Sequence, residues 1–142
     1  MNTGCGCTVA NVAIAIGIDH PTVGDLGMQL FPPDSFFGVL LVDGPPSAAN
    51  LVAGNKITFD DSVVGALDPQ TLGANVDIND NIPTGTYYAL GDGTGGYPNA
   101  AGLVKFNSIT AAGDWKFVVF DLTSDGNDGT IESVELTITC AE

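Results

Sequence analysis

Positive charge is almost absent from this chain. Three Lys or Arg residues stand against 17 Asp or Glu residues, and the net charge is −14. All three basic residues are lysines, Lys56, Lys105 and Lys116. Such a surface repels nucleic acid phosphates and anionic membranes, so we expect neither as a partner. It attracts cations such as calcium, and it equally keeps a protein soluble in a saline or secreted setting.

Long apolar runs and catalytic motifs are also missing. Val9 to Ile18 is apolar but too short to span a bilayer, and no basic residue precedes it, so we expect neither an anchor nor a signal peptide there. The chain has one histidine, His20, and it contains no G-x-S-x-G or H-E-x-x-H motif. We therefore expect no enzymatic activity, although so many carboxylates leave a glycosidase-like pair open.

Cysteines are few and lie at the two ends of the chain. Cys5 and Cys7 are near the start and Cys140 is near the end. We predict a disulfide from Cys5 or Cys7 to Cys140, which stabilises by roughly 4–5 kcal/mol in the chain-entropy model. The alternative is three reduced thiols in a cytosolic protein. Zinc is disfavoured by the Cys-x-Cys spacing and the single histidine.

The rest of the composition is typical of a single all-β domain spanning residues 1–142. Hydrophobic residues make up 44% of the chain, and 19 glycines and 8 prolines are scattered along it. Period-two alternation predicts strands, and no window shows a sustained helical pattern. The strands predicted before residue 100 are 12–18, 26–31, 37–42, 56–59 and 85–90. With the final pair these make seven, and we expect about eight strands in the whole chain, which predicts a jelly-roll-like β-sandwich.

The stretch from Gly113 to Thr139 is predicted to be a hairpin of two strands joined by an acidic loop. The residues expected on one face are Trp115, Phe117 and Val119 in the first strand and Val134, Leu136 and Ile138 in the second. Ser-Asp-Gly-Asn-Asp-Gly between them is turn chemistry with closely spaced carboxylates.

This stretch resembles the end of the P domain, or homo-B domain, of proprotein convertases and bacterial subtilisin-like secreted proteases. The matching positions are Gly113, Trp115, Val119, Asp121, Gly129, Ile131, Ser133, Leu136 and Ile138. Val134 stands where the family has Trp. Two further segments are similar to the family, Asp19 to Leu26 (DHPTVGDL) and Ile57 to Val63 (ITFDDSV).

The resemblance implies a jelly-roll-like sandwich and a non-catalytic role. In the family such a domain supports the stability of a neighbouring catalytic domain, docks onto it or onto another protein, and in some members binds calcium. It also implies a structural role for the family's histidine, which is His20 here, and we expect a capping or turn role for His20 and Asp25. A secreted or extracellular location and a monomeric state in isolation are further expectations.

The acidic loop holds the candidate metal ligands. Asp121 to Glu132 nearly fits the twelve-residue EF-hand loop, but Thr123 replaces the third ligand and both flanks alternate as strands. We reject an EF-hand and keep hard oxygen ligands in a turn, which suit calcium. The candidate ligands are Asp121, Asp125 and Asp128, with Asp60 and Asp61 as partners from another loop. The alternative is that these aspartates form Asx turns.

A carbohydrate-binding or adhesion module that depends on calcium is the second hypothesis. Jelly-roll sandwiches with acidic loops serve that purpose too. Tyr87, Tyr88 and Tyr97 would then be exposed and stack on sugar rings. Ordinary packing of these tyrosines inside the sandwich is the alternative.

Overall fold

Nine β-strands make up most of the regular structure that the computed structural model describes, which covers residues 1–4, 6–33, 35–92, 101–123, 126 and 128–142. The strands are β1 (Asn2–Thr3), β2 (Val9–Asp19), β3 (Leu26–Phe31), β4 (Val39–Asp43), β5 (Ile57–Asp60), β6 (Gly85–Tyr87), β7 (Gly113–Asp114), β8 (Lys116–Asp121) and β9 (Thr130–Cys140). The helical elements in these ranges are three short 3₁₀ turns, Val23–Asp25, Pro69–Thr71 and Leu103–Phe106. No helix in the described part has the length and apolarity to cross a membrane. The predicted all-β sandwich is confirmed.

Two larger sheets pack face to face around one core. The first has the strand order β6-β5-β2-β9 and the second has the order β4-β3-β8. β5 and β6 are parallel, and the other neighbours in these two sheets are antiparallel. A small third sheet pairs β1 with β7. Apolar residues from both large sheets form a single cluster of buried side chains.

β2 is the central long strand, and its side chains alternate as predicted. Val12, Ile14 and Ile16 are buried, whereas Ala13 and Ala15 between them are partly exposed. Successive residues of a strand point to opposite faces, so every second apolar side chain enters the core.

The predicted final hairpin is wrong, because β8 and β9 belong to different sheets. β8 pairs with β3, and β9 pairs with β2 along ten register positions. The connection between them therefore crosses from one sheet to the other. Each strand contributes apolar side chains to the same core from opposite sides, because a sandwich buries the inner face of each of its two sheets.

The pairing of β2 with β9 also brings the chain ends together. Val9 lies opposite Cys140, and Cys7 forms a disulfide with Cys140 with their Cα atoms 5.7 Å apart. The predicted terminal bridge is confirmed, with Cys7 as the partner. Cys5 lies outside the described residues.

The connection between β3 and β4 differs from the prediction. A strand was expected from Phe37, but β4 begins at Val39. Phe36 and Phe37 therefore lie in the loop, where they are 97% and 76% exposed.

Candidate functional site

His20 is buried where β2 ends, and its hydrogen bonds fix its tautomer. Its backbone exchanges hydrogen bonds of 3.0 and 2.9 Å with the backbone of Leu51. Its Nδ1 accepts a hydrogen bond from the Thr22 N–H at 3.1 Å. Because an accepting ring nitrogen carries no proton, neutral His20 holds its proton on Nε2. The bond to Thr22, two residues on, is a turn role of the kind expected for this histidine.

Asp121 faces the protonated nitrogen of His20 from the other sheet. Its Oδ2 lies 3.7 Å from His20 Nε2, which exceeds hydrogen-bond range. Among the described residues, Nε2 has no hydrogen-bond partner. The other oxygen of Asp121 accepts a hydrogen bond from the Thr123 N–H at 3.1 Å. The His20–Asp121 contact therefore joins the end of β2 to the end of β8.

Asp25 lies in the same region but takes part through its backbone. Its C=O accepts a hydrogen bond from the Leu122 N–H at 2.6 Å, and its own N–H donates to Thr22 at 3.2 Å. Its side-chain Oδ2 is buried and has no hydrogen-bond partner in the described part of the chain. The structure thus gives Asp25 a place in the turn without a capping bond from its carboxylate.

A cavity of about 470 Å³ opens beside His20 and Asp121. It lies between β8 and β9, which are edge strands of the two sheets. Its lining combines aliphatic side chains with polar groups: Ile18, His20, Leu26, Val119, Asp121, Asp128, Gly129, Thr130 and Ile131. This mixed lining suits an apolar ligand segment that also carries a polar or positively charged group.

Gly129 packs directly against His20, and this leaves no room for a side chain. A Cβ at this position would come within 2.5 Å of the Asp19 carbonyl oxygen and 2.7 Å of His20 Cδ2. Neither group can move away cheaply, since one is backbone and the other belongs to a buried ring. The glycine therefore allows the backbone just before β9 to lie close to the end of β2.

Asp60 and Asp61 lie far from Asp121. Asp60 lies opposite Ala13, which precedes His20 by seven residues along β2. At 3.3 Å per residue, Asp60 is therefore roughly 20 Å from His20, beside which Asp121 lies. Asp60 Oδ1 accepts hydrogen bonds from the Ser62 backbone N–H at 2.9 Å and from the Ser62 hydroxyl at 2.6 Å. Asp60 and Asp61 therefore do not share a metal site with Asp121.

Asp61 is a buried carboxylate that holds two loops. Its Oδ1 accepts a hydrogen bond from the Ala89 N–H at 2.8 Å, and its Oδ2 accepts one from the Val104 N–H at 3.3 Å. Burial raises the pKa of Asp61 above its ordinary value, although these backbone bonds act in the opposite direction. Its geometry is that of a structural carboxylate that fixes the start of the turn Leu103–Phe106.

The remaining metal candidates are only partly described. Asp121 and Asp128 line the same cavity, and Asp125 lies outside the described residues. Among the residues that the structure describes, no three His, Cys, Asp or Glu side chains are grouped to hold a metal ion. Calcium prefers 6–8 oxygen ligands, so Asp121 and Asp128 supply at most part of such a set.

The tyrosines predicted for sugar stacking do not form an exposed platform in the described part. Tyr87 is 5% exposed, and its ring lies 6.4 Å from that of Phe59. Tyr88 is partly buried, and burial together with the nearby Asp68 carboxylate raises its pKa. Tyr97 lies outside the described residues. Packing inside the sandwich is therefore the role that the structure gives Tyr87.

An aromatic and basic patch, which the sequence did not indicate, is formed by the loop between β3 and β4 together with one lysine of the turn Leu103–Phe106 and one lysine of β8. We call Phe36, Phe37, Lys105 and Lys116 the Phe–Lys patch. Lys105 Nζ lies 6.0 Å from the ring centre of Phe37, and Lys116 Nζ lies 6.0 Å from that of Phe31. The prolines before Phe36 indicated a loop, but nothing local showed that the phenylalanines would face solvent or that distant lysines would join them.

No family model matches the chain, and the searches of curated proteins and of solved structures gave no significant match. The likeness to the P domain therefore depends on the sequence motifs alone.

Proposed function

We propose that this protein is a non-catalytic accessory module resembling a P domain, which docks through the Phe–Lys patch onto a neighbouring catalytic domain or another protein. The observation that carries the proposal is the exposure of two adjacent phenylalanines, Phe36 at 97% and Phe37 at 76%. Burying a phenylalanine side chain in an interface is worth about 1.5–3 kcal/mol. Exposed aromatic side chains are also typical centres of protein interfaces.

The charge distribution supports the same surface. Lys105 lies beside Phe37 of this loop, and Lys116 lies beside Phe31 at the end of β3. Two of the three lysines of a chain whose net charge is −14 are therefore at this surface. Elsewhere the acidic surface repels acidic partners, so the Phe–Lys patch is where an acidic or apolar partner surface is tolerated. The partner we propose is a domain with an apolar depression rimmed by carboxylates.

A role without catalysis fits the environment of His20. Its Nδ1 is occupied by the Thr22 N–H, and its Nε2 is buried beside Asp121. A general base needs a free ring nitrogen within reach of a nucleophile or substrate. His20 instead holds a turn in place, in line with the structural role that the resemblance implies.

Calcium is part of the proposal as a stabilising ion. Asp121 and Asp128 line the cavity between β8 and β9, and bound calcium would neutralise repulsion between carboxylates there. The His20 N–H beside Asp121 Oδ2 is unfavourable for a cation at that oxygen. Asp128 is therefore the described residue that we expect to contribute most.

We propose a secreted or extracellular location, and the disulfide supports it. Cys7 and Cys140 are 133 residues apart, so their bond closes nearly the whole chain. Disulfides of this structural kind persist in oxidising compartments. We propose a monomer in isolation, because the net charge of −14 opposes self-association.

Binding measurements test the docking proposal. Each subtilisin-like catalytic domain encoded in the same genome is titrated with this protein by calorimetry. We expect at least one to bind, and the Phe36→Ser/Phe37→Ser variant to weaken that binding at least about tenfold. Val64→Ser is the matched control, since Val64 is 98% exposed in another loop. Binding that is unaffected by the double change, or absent for every domain, would overturn docking through the patch.

A further inference from the structure

In the described part of the chain, the outer edge of β8 is open over most of its length. The Leu122 N–H donates to the Asp25 C=O, and the Gly44 N–H donates to the Leu26 C=O. Leu26 lies opposite Asp121 in the pairing of β3 with β8, but its C=O points to the other side of β3, toward Gly44. Leu122, in contrast, bonds to Asp25. In an antiparallel pair these directions alternate, so the even-numbered residues of β8 direct their backbone groups toward β3. The N–H and C=O groups of Phe117, Val119 and Asp121 therefore point away from β3. Within the described part of the chain, no backbone group of another strand pairs with them.

The first residues of the chain already pair with the continuation of this edge. The Trp115 N–H donates to the Met1 C=O at 2.7 Å, and the Met1 amino group donates to the Trp115 C=O at 2.8 Å. The pairing continues antiparallel to Thr3, which lies opposite Gly113. Trp115, Phe117 and Val119 are alternate residues along the chain, so their backbone N–H and C=O groups point to the same edge. This edge thus accepts an antiparallel strand at one end and is open at the other.

An apolar groove runs beside the open part of the edge. Val119 of β8 and Ile131 of β9 line it next to His20, and Phe117, Ile131 and Val134 line it next to Met1. Ile131 is 48% exposed and lies opposite the buried Ile18 of β2. Residues directly opposite each other on paired strands share one face. A strand added to β8 would therefore direct every second side chain into this groove.

We propose that an extended segment of a partner polypeptide adds to β8 as an antiparallel strand. Its backbone pairs with Phe117, Val119 and Asp121, and its side chains opposite Phe117 and Val119 are apolar. Its residue opposite Asp121 is basic, because Asp121 and Asp128 lie at that end of the groove and the chain as a whole is strongly acidic. Strand addition of this kind takes affinity from backbone bonds and selectivity from alternate side chains.

This edge is a different surface from the exposed phenylalanines of the Phe–Lys patch. Strand addition goes beyond the proposed docking and does not depend on it. A variant that loses one form of binding is expected to keep the other, so the two proposals fail separately.

A short peptide tests the register directly. The probe is acetyl-Lys-Thr-Val-Thr-Val-amide, whose first, third and fifth residues would lie opposite Asp121, Val119 and Phe117. Titration into ¹⁵N-labelled protein is expected to give saturable shifts of the Phe117 and Val119 amides. Methylating the backbone nitrogen of the third residue removes the donor to the Val119 C=O and is expected to weaken binding about tenfold. Methylating the second residue, whose N–H points away, is the matched control and is expected to have a much smaller effect.

Charge and groove contacts are tested with variants that leave the backbone unchanged. Replacing the first residue of the peptide with Glu, or making Asp121→Asn in the protein, is expected to weaken binding severalfold. Ile131→Ser is expected to weaken it as well, and Ile78→Ser is the control because Ile78 is 98% exposed elsewhere. Three results would overturn the proposal: no saturable shift at millimolar peptide, equal loss from the two N-methyl peptides, or shifts centred on Phe36 and Phe37.

Discussion

His20 and Asp121 meet across the two sheets of the sandwich, with Nε2 and Oδ2 3.7 Å apart. The two side chains contribute unequally, because that of His20 is 3% exposed and that of Asp121 is 37% exposed. A partly solvated carboxylate beyond hydrogen-bond distance adds little to stability. The buried ring adds more, because it fills space in the core and accepts the Thr22 N–H.

Replacing His20 should therefore destabilise the protein much more than replacing its acidic partner. We expect His20→Ala to lower the free energy of unfolding by about 2–4 kcal/mol, through a cavity and an unpaired N–H. We expect Asp121→Asn to change it by less than about 1 kcal/mol. Urea unfolding followed by tryptophan fluorescence measures both. Equal losses would show that the ion pair, and not the buried ring, holds this end of the sandwich.

Gly129→Ala should destabilise the folded protein, because Gly129 lies close to the end of β2. The added Cβ would lie 2.5 Å from the Asp19 carbonyl oxygen, so backbone has to shift. We expect a loss of about 1–3 kcal/mol, as for other overpacked sites. Gly54→Ala is the control, because no atom lies within 4 Å of a Cβ there. Thermal unfolding of the two variants decides the matter, and similar melting temperatures would contradict the close approach to His20.

Asp61 should make the free energy of unfolding depend on pH in a defined direction. Its pKa in the folded protein is raised above 3.8, so the folded state binds the proton more tightly than the unfolded state does. The resulting stabilisation is fully present below pH 3.8 and is lost as the pH rises through the raised pKa.

The variant Asp61→Asn isolates this effect. Asparagine does not titrate and leaves the Val104 N–H without its carboxylate acceptor, which costs about 1–3 kcal/mol. We expect the variant to be less stable than the wild type, by a margin that is largest below pH 3.8 and shrinks at higher pH. Unfolding in urea across this range measures the margin. A margin that grew with pH would mean that the pKa of Asp61 is lowered by folding.

Calcium should raise the melting temperature if the acidic connection binds it. We expect millimolar calcium added after EDTA to stabilise the protein, because an ion that binds only the folded state favours folding. Asp125→Ala and Asp128→Ala should abolish the rise, and Glu142→Ala, which removes one charge from the exposed C-terminus, should preserve it. A rise that survives in the loop variants would place calcium elsewhere, and no rise would remove it from the proposal.

Local periodicity was enough to predict the longer strands and their inward faces, although the strand expected over 85–90 ends at Tyr87 and the short β1 was not predicted. Ile14 and Ile16 are buried, and Ala15 between them is not, as alternation requires. The terminal disulfide followed from cysteine placement, although the choice of Cys7 over Cys5 depends on the register of β2 and β9. These features depend on neighbouring residues or on simple chain geometry.

The predictions that were wrong concern features that depend on contacts between residues distant in sequence. Whether β8 and β9 pair with each other depends on β2 and β3, which lie far away in sequence. Asp61 was expected to be a metal ligand, but it is buried and accepts hydrogen bonds from the distant Ala89 and Val104 N–H groups. A local pattern does not contain that information.

The most direct test of an accessory role is the lifetime of a neighbouring catalytic domain. Each subtilisin-like catalytic domain from the same genome is heated alone, with this protein, or with its Phe36→Ser/Phe37→Ser variant, and residual proteolysis is followed over time. We expect the wild-type protein to prolong the activity of at least one domain, and the variant to lose this effect while keeping its own melting temperature. Unchanged lifetimes for every domain, or equal protection by the variant, would contradict the proposed role.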